Sequence, residues 1–387
     1  MTTALHSRRA GLAEIALALA SFCFALLLAE VLVRIFFPHS RDHISRGLLE
    51  SDSLLGWSLV PGSRTTHRLS YFEVLYEVNE LGFRDEPRRP TADGRRRVLL
   101  YGDSQIFGWG VPAAERFSNL IERRQPLVQI WNLGVPGYGL DQQILAYERD
   151  GGSWNADEVV FFVSSSTLER TFYDFKYNRP KPRFVLGDGG ALTLIPPRFA
   201  GKEKQARLID AVYRAFGWMY LLHFVDLRLR TVKERISGSN KRKRLVLDSV
   251  ASARRDSAGA GIPSPPAGFP ADTAGDAVSE MRAHSVLPEL EQRILQRGRD
   301  LAVSQGHSIT LLTSLTGGNG HALEEFCRRE QIRLLTVRFA ARKSELRLGP
   351  HDPHWNRLAH REIAESLGAE FWRPAREAQL PTTTGGN

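Results

Sequence analysis

Short runs rich in apolar residues alternate with helical stretches over most of the chain. The first is VLLY at 98–101, and similar runs recur at 127–133, 158–163, 308–315 and 332–337. Apolar runs of this length are typical of strands that are buried on both faces of a sheet. Strands that alternate with helices join as parallel neighbours. The chain therefore predicts an α/β fold, a three-layer sandwich around a parallel central sheet.

Helices are predicted wherever apolar residues recur at helical spacing between these strands. The stretches that meet this test are Ala113–Arg124, Asp141–Arg149, Leu287–Gln305, His321–Gln331 and Asn356–Leu367. With 387 residues, 42% of them apolar, the chain has enough apolar side chains for a substantial core.

A longer apolar run occupies residues 12–33, near the N-terminus. As a helix it spans about 33 Å, which matches a hydrocarbon core of about 30 Å. Arg8 and Arg9 precede it, as they would in a cleaved signal peptide. Because no small-x-small cleavage site follows, an uncleaved transmembrane anchor in the lipid bilayer is favoured over a signal peptide and over a buried soluble helix.

The charges beside this run do not decide its orientation. Arg8 and Arg9 lie on one side, and Arg34, Arg41 and Arg46 lie on the other. The positive-inside rule compares such flanks and finds no clear asymmetry here.

Charge and cysteine content exclude several classes of protein. The net charge of +9 is dispersed, and the basic run Lys241–Arg244 has no aromatic residues interleaved with it. A solvated loop is therefore favoured over a nucleic-acid site. Cys23 and Cys327 are too few and too far apart for a disulfide framework or a zinc site. No metal ion and no organic cofactor is expected.

Shifts in composition divide the chain into segments. A helical stretch is expected around 202–236, and the segment after it is rich in Ser, Ala, Gly and Pro. The predicted segments are a cytoplasmic tip and anchor at 1–37, a collar at 38–95, the first part of the α/β core at 96–236, a disordered insertion at 237–277, the second part of the core at 278–376 and a disordered tail at 377–387.

The tripeptide Gly102-Asp103-Ser104 directly follows the VLLY strand. Ligand sites in parallel sheets collect at the carboxyl ends of the strands, so Ser104 is a candidate nucleophile. The same three residues also suit a helix cap, and on their own they do not decide between the two.

A second candidate group lies just before the last helix, in HDPHWNRLAH at 351–360. A serine nucleophile needs an imidazole to accept its proton and a carboxylate to orient that imidazole. Asp352 and His354 supply both, two residues apart on a predicted loop. The alternative is a polar first turn of the helix.

Together these two motifs resemble those of the SGNH/GDSL hydrolase superfamily, and the leading helix and collar resemble its membrane-anchored branch. The resemblance is carried by Asp52–Gly62, Asn79–Arg84, Tyr101–Val111, Asn132–Gln142 and Asp352–His360. It implies a flavodoxin-like sheet. The D-x-H spacing, in place of D-x-x-H, is similar to that of the polysaccharide-acetylation branch.

The resemblance assigns a role to each matched residue. Ser104 is the nucleophile and its N–H the first oxyanion donor, Gly137 is the second donor, Asp352 is the orienting acid and His354 is the base. Around Gly137 the sequence also fits an ordinary Gly/Pro turn.

One block departs from the family. Where G-x-N-D is usual, this chain has Ser164-Ser165-Ser166-Thr167. Ser166 lies nearest the place of the asparagine and is the expected third oxyanion donor, although a shift of one residue would put Ser165 there. A hydroxyl is shorter than a carboxamide, and the loss of one such donor costs about 3 to 4 kcal/mol in the transition state. Slow turnover, or none, is compatible with this change.

The resemblance implies a membrane-anchored serine esterase or acyltransferase that acts on O-acyl groups, acetyl above all, of an extracytoplasmic glycan. The expected location is the inner membrane, with one span and the catalytic domain outside the cytoplasm. The rival from another class is a catalytically weak or inactive glycan-binding or assembly component of a cell-envelope system. A phosphodiesterase or nuclease is disfavoured because no metal-ligand spacing is visible.

Overall fold

The computed structural model describes residues 2–37, 47–69, 71–89, 94–177, 179–198, 287–349 and 352–372, together with 208, 212, 215–216, 218–226 and 228–229. Both predicted disordered segments, 237–277 and 377–387, lie outside these residues, and the segment boundaries stay predictions. The described residues belong to two units. One contains the N-terminal helix and the described part of 212–229, and the other contains the sheet.

The described helices and strands follow the predicted alternation. The helices are α1 Thr2–Phe36, α2 Ser104–Phe107, α3 Phe117–Arg124, α4 Leu140–Asp150, α5 Ser165–Glu169, α6 at 220–226, α7 Glu289–Ser304, α8 Gly317–Arg329 and α9 Arg357–Trp372. The strands are β1 Leu49–Asp52, β2 Gly56–Leu59, β3 Arg64–Leu69, β4 Phe72–Glu77, β5 Arg96–Gly102, β6 Val128–Gly134, β7 Glu158–Val163, β8 Phe175–Lys176, β9 Arg179–Pro180, β10 Arg183–Leu186, β11 Leu192–Ile195, β12 Ser308–Thr313, β13 Arg333–Thr336, β14 Arg347–Gly349 and β15 Asp352–Trp355.

A parallel sheet of five strands, in the order β13-β12-β7-β5-β6, forms the centre of the larger unit. Leu100 of β5 lies opposite Asn132 of β6 on one side and Val160 of β7 on the other. Every residue of β6 and β7 is buried, including the polar Gln129, Asn132 and Glu158, and burial on both faces explains why most residues of these strands are apolar. The strand order reverses between β5 and β7, and in such sheets ligands bind at this point.

Helices cover both faces of the sheet. On one face α3 and α9 pack over a core that includes Val98, Phe117 and Ile363. On the other face α4 and α7 pack together, and the Tyr147 ring of α4 lies 5.5 Å from the Phe161 ring of β7. The predicted three-layer α/β sandwich is therefore confirmed.

The helix predicted over Ala113–Arg124 is broken in the structure. A 3-10 turn covers Ala113–Glu115, Arg116 is extended, and α3 begins only at Phe117. The Arg116 side chain is fully buried, where it donates to the Arg84 carbonyl and to Asn119 Oδ1. The break leaves Arg116 at the helix start, from which its side chain reaches inward.

The α1 helix contains the described segment that is long and apolar enough to cross a membrane, Glu14–Phe36. Its 23 residues span about 35 Å at helical rise. Most of its large apolar side chains are exposed, for example Leu17, Phe24 and Leu27. The predicted apolar N-terminal helix is thus present, extended by three residues beyond Val33.

Arg84, at the end of the collar, supports the backbone at the end of α2, the short helix that follows Gly102-Asp103. Arg84 is 1% exposed and donates to the carbonyl oxygens of Phe107, Gly108 and Val111, at 2.9, 2.8 and 2.7 Å. Its guanidinium also lies 4.4 Å from the centre of the Tyr76 ring. The carbonyls at and just after the end of α2 are therefore hydrogen-bonded by the side chain of Arg84, which lies more than twenty residues earlier in the chain.

We predict that Arg84→Lys lowers the free energy of unfolding by about 3 kcal/mol or more, because one ammonium group cannot reach three carbonyls, and each carbonyl it does not reach loses a buried, charge-assisted hydrogen bond. Urea unfolding of the full chain in detergent measures this. The matched control is Arg342→Lys at an exposed position, which should stay within about 0.5 kcal/mol of wild type. Equal stability of the two variants would show that Arg84 does not support the turn.

Candidate active site

Ser104 is the first residue of α2 and lies at the carboxyl end of β5. The preceding Asp103 is extended, and its Oδ1 accepts the Gln105 N–H at 2.9 Å as a helix cap. Close approach of α2 to β6 requires a glycine at 134, since a Cβ there would lie 2.4 Å from the Phe107 nitrogen. Asp103 therefore acts as the helix cap, and Ser104, the candidate nucleophile, begins the helix.

Asp352 and His354 lie on a strand rather than on the predicted loop. β15 pairs antiparallel with β14. Residues two apart in a strand point to the same face, so the D-x-H spacing sets the carboxylate and the imidazole side by side. For this reason a single intervening residue, Pro353, is enough to place the Asp352 carboxylate beside the His354 ring.

The structure brings the three predicted triad residues together. His354 Nε2 lies 2.8 Å from Ser104 Oγ, and His354 Nδ1 lies 2.5 Å from Asp352 Oδ1. The neutral imidazole that fits this arrangement carries its proton on Nδ1, donates it to Asp352, and accepts the Ser104 hydroxyl at Nε2. Ser104 is 5% exposed. Such a serine can lose its proton to the imidazole as it attacks.

Two further donors act on the Asp352 carboxyl. The backbone N–H of His354 donates to Oδ1 at 3.0 Å, and the Tyr71 hydroxyl donates to Oδ2 at 2.8 Å. Burial raises the pKa of Asp352, but the hydrogen bonds from the His354 ring and N–H, the charge of His354 and the Tyr71 hydroxyl outweigh it and lower the pKa to about 2. Asp352 is therefore an anion at neutral pH, as an orienting acid must be.

Gln105 joins the nucleophile helix to the strand of the acid and base. Its Oε1 accepts the Trp355 N–H at 2.9 Å, and its Nε2 donates to the Pro353 carbonyl at 3.4 Å. The carboxamide thus bonds to the backbone on both sides of His354. The Trp109 ring lies 5.6 Å from the His354 ring on another side. Sequence reasoning missed Gln105, because nothing local links it to a segment 250 residues away.

Gly137 occupies a tight turn after β6. The Tyr138 N–H donates to the Val135 carbonyl at 3.2 Å, and Gly137 has a φ of +83°. A side chain is excluded twice, by that φ and by the Tyr177 ring, whose Cε2 would lie 2.3 Å from a Cβ. Within the described chain, neither the Gly137 N–H nor the Ser104 N–H donates to a protein acceptor. Both N–H groups can therefore donate a hydrogen bond to an oxygen atom of a bound molecule.

Arg170 bridges the segments after β5 and β6. Its Nη1 donates to Asp103 Oδ2 at 2.7 Å and to the Tyr138 carbonyl at 3.1 Å. Asp103 and Tyr138 are the immediate neighbours of Ser104 and Gly137, so Arg170 fixes the two expected oxyanion donors relative to each other. Sequence reasoning missed Arg170 as well, since a lone arginine after a short helix gives no local signal.

The serines after β7 form the start of α5. Ser164 caps the helix, with its Oγ accepting the Thr167 N–H at 3.2 Å and its own N–H donating to Thr167 Oγ1 at 2.8 Å. Ser165 and Ser166 are exposed in the first turn. Over the described residues, no hydrogen bond joins either side chain to Ser104, His354 or Asp352. The structure does not bring Ser166 into the triad's hydrogen-bond network.

No group of three or more His, Cys, Asp or Glu side chains in the described part of the chain lies close enough to hold a metal ion. The polar groups around Ser104 are bonded to one another in a way that suits acyl transfer through a serine. Gly102-Asp103-Ser104 lies at the end of the first strand of the parallel sheet, and Asp352 and His354 precede the last helix.

No protein-family model matches the chain, and no curated protein matches it in sequence. Among solved structures it is similar to a lipolytic protein of the G-D-S-L family from Desulfitobacterium hafniense DCB-2, with 10% identity, a TM-score of 0.34, and 71% of this chain and 99% of that chain covered. It is also similar to a member of the lipolytic protein G-D-S-L family from Veillonella parvula DSM 2008, with 9% identity, a TM-score of 0.33, and 72% of this chain and 99% of that chain covered. A third similar structure is LAE5, an α/β hydrolase enzyme from the metagenome of Lake Arreo, Spain, with 12% identity, a TM-score of 0.36, and 73% of this chain and 97% of that chain covered. These structural similarities are weak. The chemical interpretation of the site depends instead on the hydrogen bonds that join Ser104, His354 and Asp352.

The lowered pKa of Asp352 predicts how stability changes in acid. The pKa is about 2 in the folded chain against an ordinary 3.8, so the carboxylate stabilises the fold above about pH 4, and this contribution is lost as the pH falls through 2. From about pH 5 to about pH 2, wild type should lose about 2 kcal/mol more than Asp352→Asn. Urea unfolding at a series of pH values measures the difference.

The matched control is Asp300→Asn, whose carboxylate is 67% exposed. It shows how much of any change comes from the loss of a surface carboxylate. If the stability of Asp352→Asn changes with pH as that of wild type does, the hydrogen bonds to Asp352 do not favour its ionised form.

Proposed function

We propose that this chain is a serine esterase or acyltransferase of the SGNH/GDSL type, with Ser104 as nucleophile, His354 as general base and Asp352 as the residue that orients His354. One observation carries the proposal, the continuous hydrogen-bond chain from Ser104 Oγ through His354 to Asp352, at 2.8 and 2.5 Å. Nucleophile, base and orienting acid joined in this order are the signature of activated serines on unrelated folds.

In the proposed reaction Ser104 Oγ attacks the carbonyl carbon of an ester while its proton moves to His354 Nε2. The tetrahedral intermediate collapses, the alcohol leaves with that proton, and an acyl group remains on Ser104. Water or a sugar hydroxyl then attacks the acyl-enzyme, with its proton taken by His354 and returned to Ser104. Asp352 stays ionised throughout and stabilises the imidazolium.

The negative oxygen of the intermediate is proposed to accept the N–H groups of Ser104 and Gly137. Donors aimed at this developing charge strongly stabilise the transition state of acyl transfer. Arg170 supports the pair, because it bonds to the residue beside each donor. Ser166 is proposed as the third, weaker donor, since its hydroxyl is in the first turn after β7 and exposed to the solvent from which a substrate arrives.

The proposed substrate is an O-acyl ester, acetyl above all, of an extracytoplasmic glycan. This rests on the D-x-H spacing, which resembles the polysaccharide-acetylation branch. The proposed location is the inner membrane, with α1 as a single span and the sheet domain outside the cytoplasm. The apolar segment Glu14–Phe36, with its exposed side chains, supports the anchor. The bilayer and the acylated glycan are the proposed partners.

One observation favours the rival, a weak or inactive glycan-binding or assembly component of the cell envelope. The third block lacks its asparagine, and the side chains of Ser165 and Ser166 are exposed without a hydrogen bond to the described triad. If the protein is such a component, wild type should release no more p-nitrophenol from p-nitrophenyl acetate than the Ser104→Ala variant does.

We predict that Ser104→Ala and His354→Ala each lower kcat/KM for p-nitrophenyl acetate by about a thousandfold or more, because triad members act as one unit. Matched controls at exposed positions are Ser344→Ala and His321→Ala, which should keep wild-type activity. Steady-state hydrolysis by the full chain measures all four. Activity within about threefold of wild type in either triad variant would contradict the assignment.

For the third donor, we predict that Ser166→Asn raises the rate of acylation about tenfold or more at nearly constant KM, because a carboxamide reaches farther than a hydroxyl toward the developing charge. Stopped-flow release of p-nitrophenol measures the acylation phase. Ser165→Asn, one position earlier in the same turn, tests the register. If neither variant accelerates acylation, the α5 turn does not contribute to the oxyanion site.

A further inference from the structure

A buried carboxylate joins the end of α1 to a second helix. Glu30 is 6% exposed, and its oxygens accept the backbone N–H groups of Tyr220 and Leu221, the first residues of α6, at 2.9 and 2.8 Å. Arg34 Nε donates to Glu30 Oε1 at 2.7 Å. A carboxylate near the end of an apolar helix is therefore satisfied by an ion pair and by the start of α6.

Aromatic and basic side chains extend this contact along α6. The Arg34 guanidinium lies 4.9 Å from the centre of the Tyr220 ring, and the Phe37 and Phe224 rings lie 4.7 Å apart. Arg228 lies 5.1 Å from the Phe224 ring. Tyr220, Phe224 and Arg228 are spaced by four residues, so one stripe of this segment packs against the end of α1.

Away from that stripe, the same segment exposes large apolar side chains. Phe216, Trp218, Val225 and Leu229 are 51%, 55%, 45% and 65% exposed. The end of α1, which this segment contacts through Glu30 and Phe37, also exposes apolar side chains, and Phe36 is 68% exposed. Exposed apolar side chains that include a tryptophan, next to the end of an apolar helix, are typical of a membrane interface.

The sequence after this surface is strongly basic. Between residues 228 and 244 it contains eight Lys and Arg residues and a single acidic residue, Glu234. Clusters of basic residues next to a membrane helix or an interfacial helix favour anionic lipid headgroups. This charge, together with continuity with α1, favours a bilayer over a protein partner as the occupant of the apolar surface.

We propose that residues 216–229 form an interfacial membrane-binding segment, which lies in the headgroup region of an anionic bilayer beside the end of α1 and is held there by Glu30. The proposal rests on the proposed anchoring through α1. In the sequence this segment lies between two stretches, 71–198 and 287–349, that belong to the unit with the sheet. The proposal therefore joins that unit to the membrane at two points along the chain, α1 and this segment.

The test uses the full chain in nanodiscs of phosphatidylglycerol and phosphatidylcholine, with a fluorophore on one cysteine at a time. The natural Cys23 of α1 is exposed and reports on the anchor, once buried Cys327 is replaced by alanine. In a background with Cys23→Ala and Cys327→Ala, Trp218→Cys and Val225→Cys report on the segment. Val303→Cys, on α7 and 67% exposed, is the matched control.

Lipids that carry a nitroxide near the headgroup or near the chain end then act as quenchers. We expect the deep nitroxide to quench Cys23 most, and the shallow one to quench positions 218 and 225 at least about twofold more than the deep one, as in an interfacial helix. Position 303 should not be quenched. Unquenched 218 and 225 beside a quenched Cys23 would overturn the segment's membrane contact, including the case in which a protein or a second copy covers it. An unquenched Cys23 would instead contradict the anchor itself.

Discussion

The carboxamide of Gln105 is the contact on which the geometry of the candidate site depends. It bonds to the backbone at Trp355 and at Pro353, on either side of His354, and so joins two segments 250 residues apart. Because Gln105 follows Ser104 in the same four-residue helix, the side chain that positions the base is attached to the helix that carries the nucleophile. This connection supports the 2.8 Å distance between Ser104 Oγ and His354 Nε2.

Buried and half-buried arginines fix the rest of the helix. Arg84 donates to the carbonyls that follow α2, and Arg170 donates to the aspartate that caps its start. A helix as short as α2 leaves most of its backbone groups without partners inside the helix, so it needs donors and acceptors from elsewhere. The collar and the segment after α5 supply them. Residues scattered over the first half of the chain therefore support a single turn.

Much of this was open to prediction from the sequence. Strands buried on both faces are rich in apolar residues, so the parallel sheet and its helices followed from the sequence pattern. Ser104, Asp352 and His354 followed as candidates from two motifs. Contacts between distant segments leave no local pattern, which is why Gln105 and the arginines were missed. The sequence interpretation was wrong where contacts between separate segments determined the structure. The loop predicted for Asp352 and His354 is strand β15, which pairs with β14.

The central claim is that Ser104 is an activated nucleophile, and covalent labelling tests it most directly. The folded full chain is treated with a fluorophosphonate, and the modified residue is found by peptide mass spectrometry, with urea-unfolded protein treated in parallel. The account predicts one adduct on Ser104 in the folded chain and none there in the unfolded chain, because only the fold brings His354 to within 2.8 Å of the Ser104 hydroxyl. An unmodified Ser104 in the folded protein would contradict it.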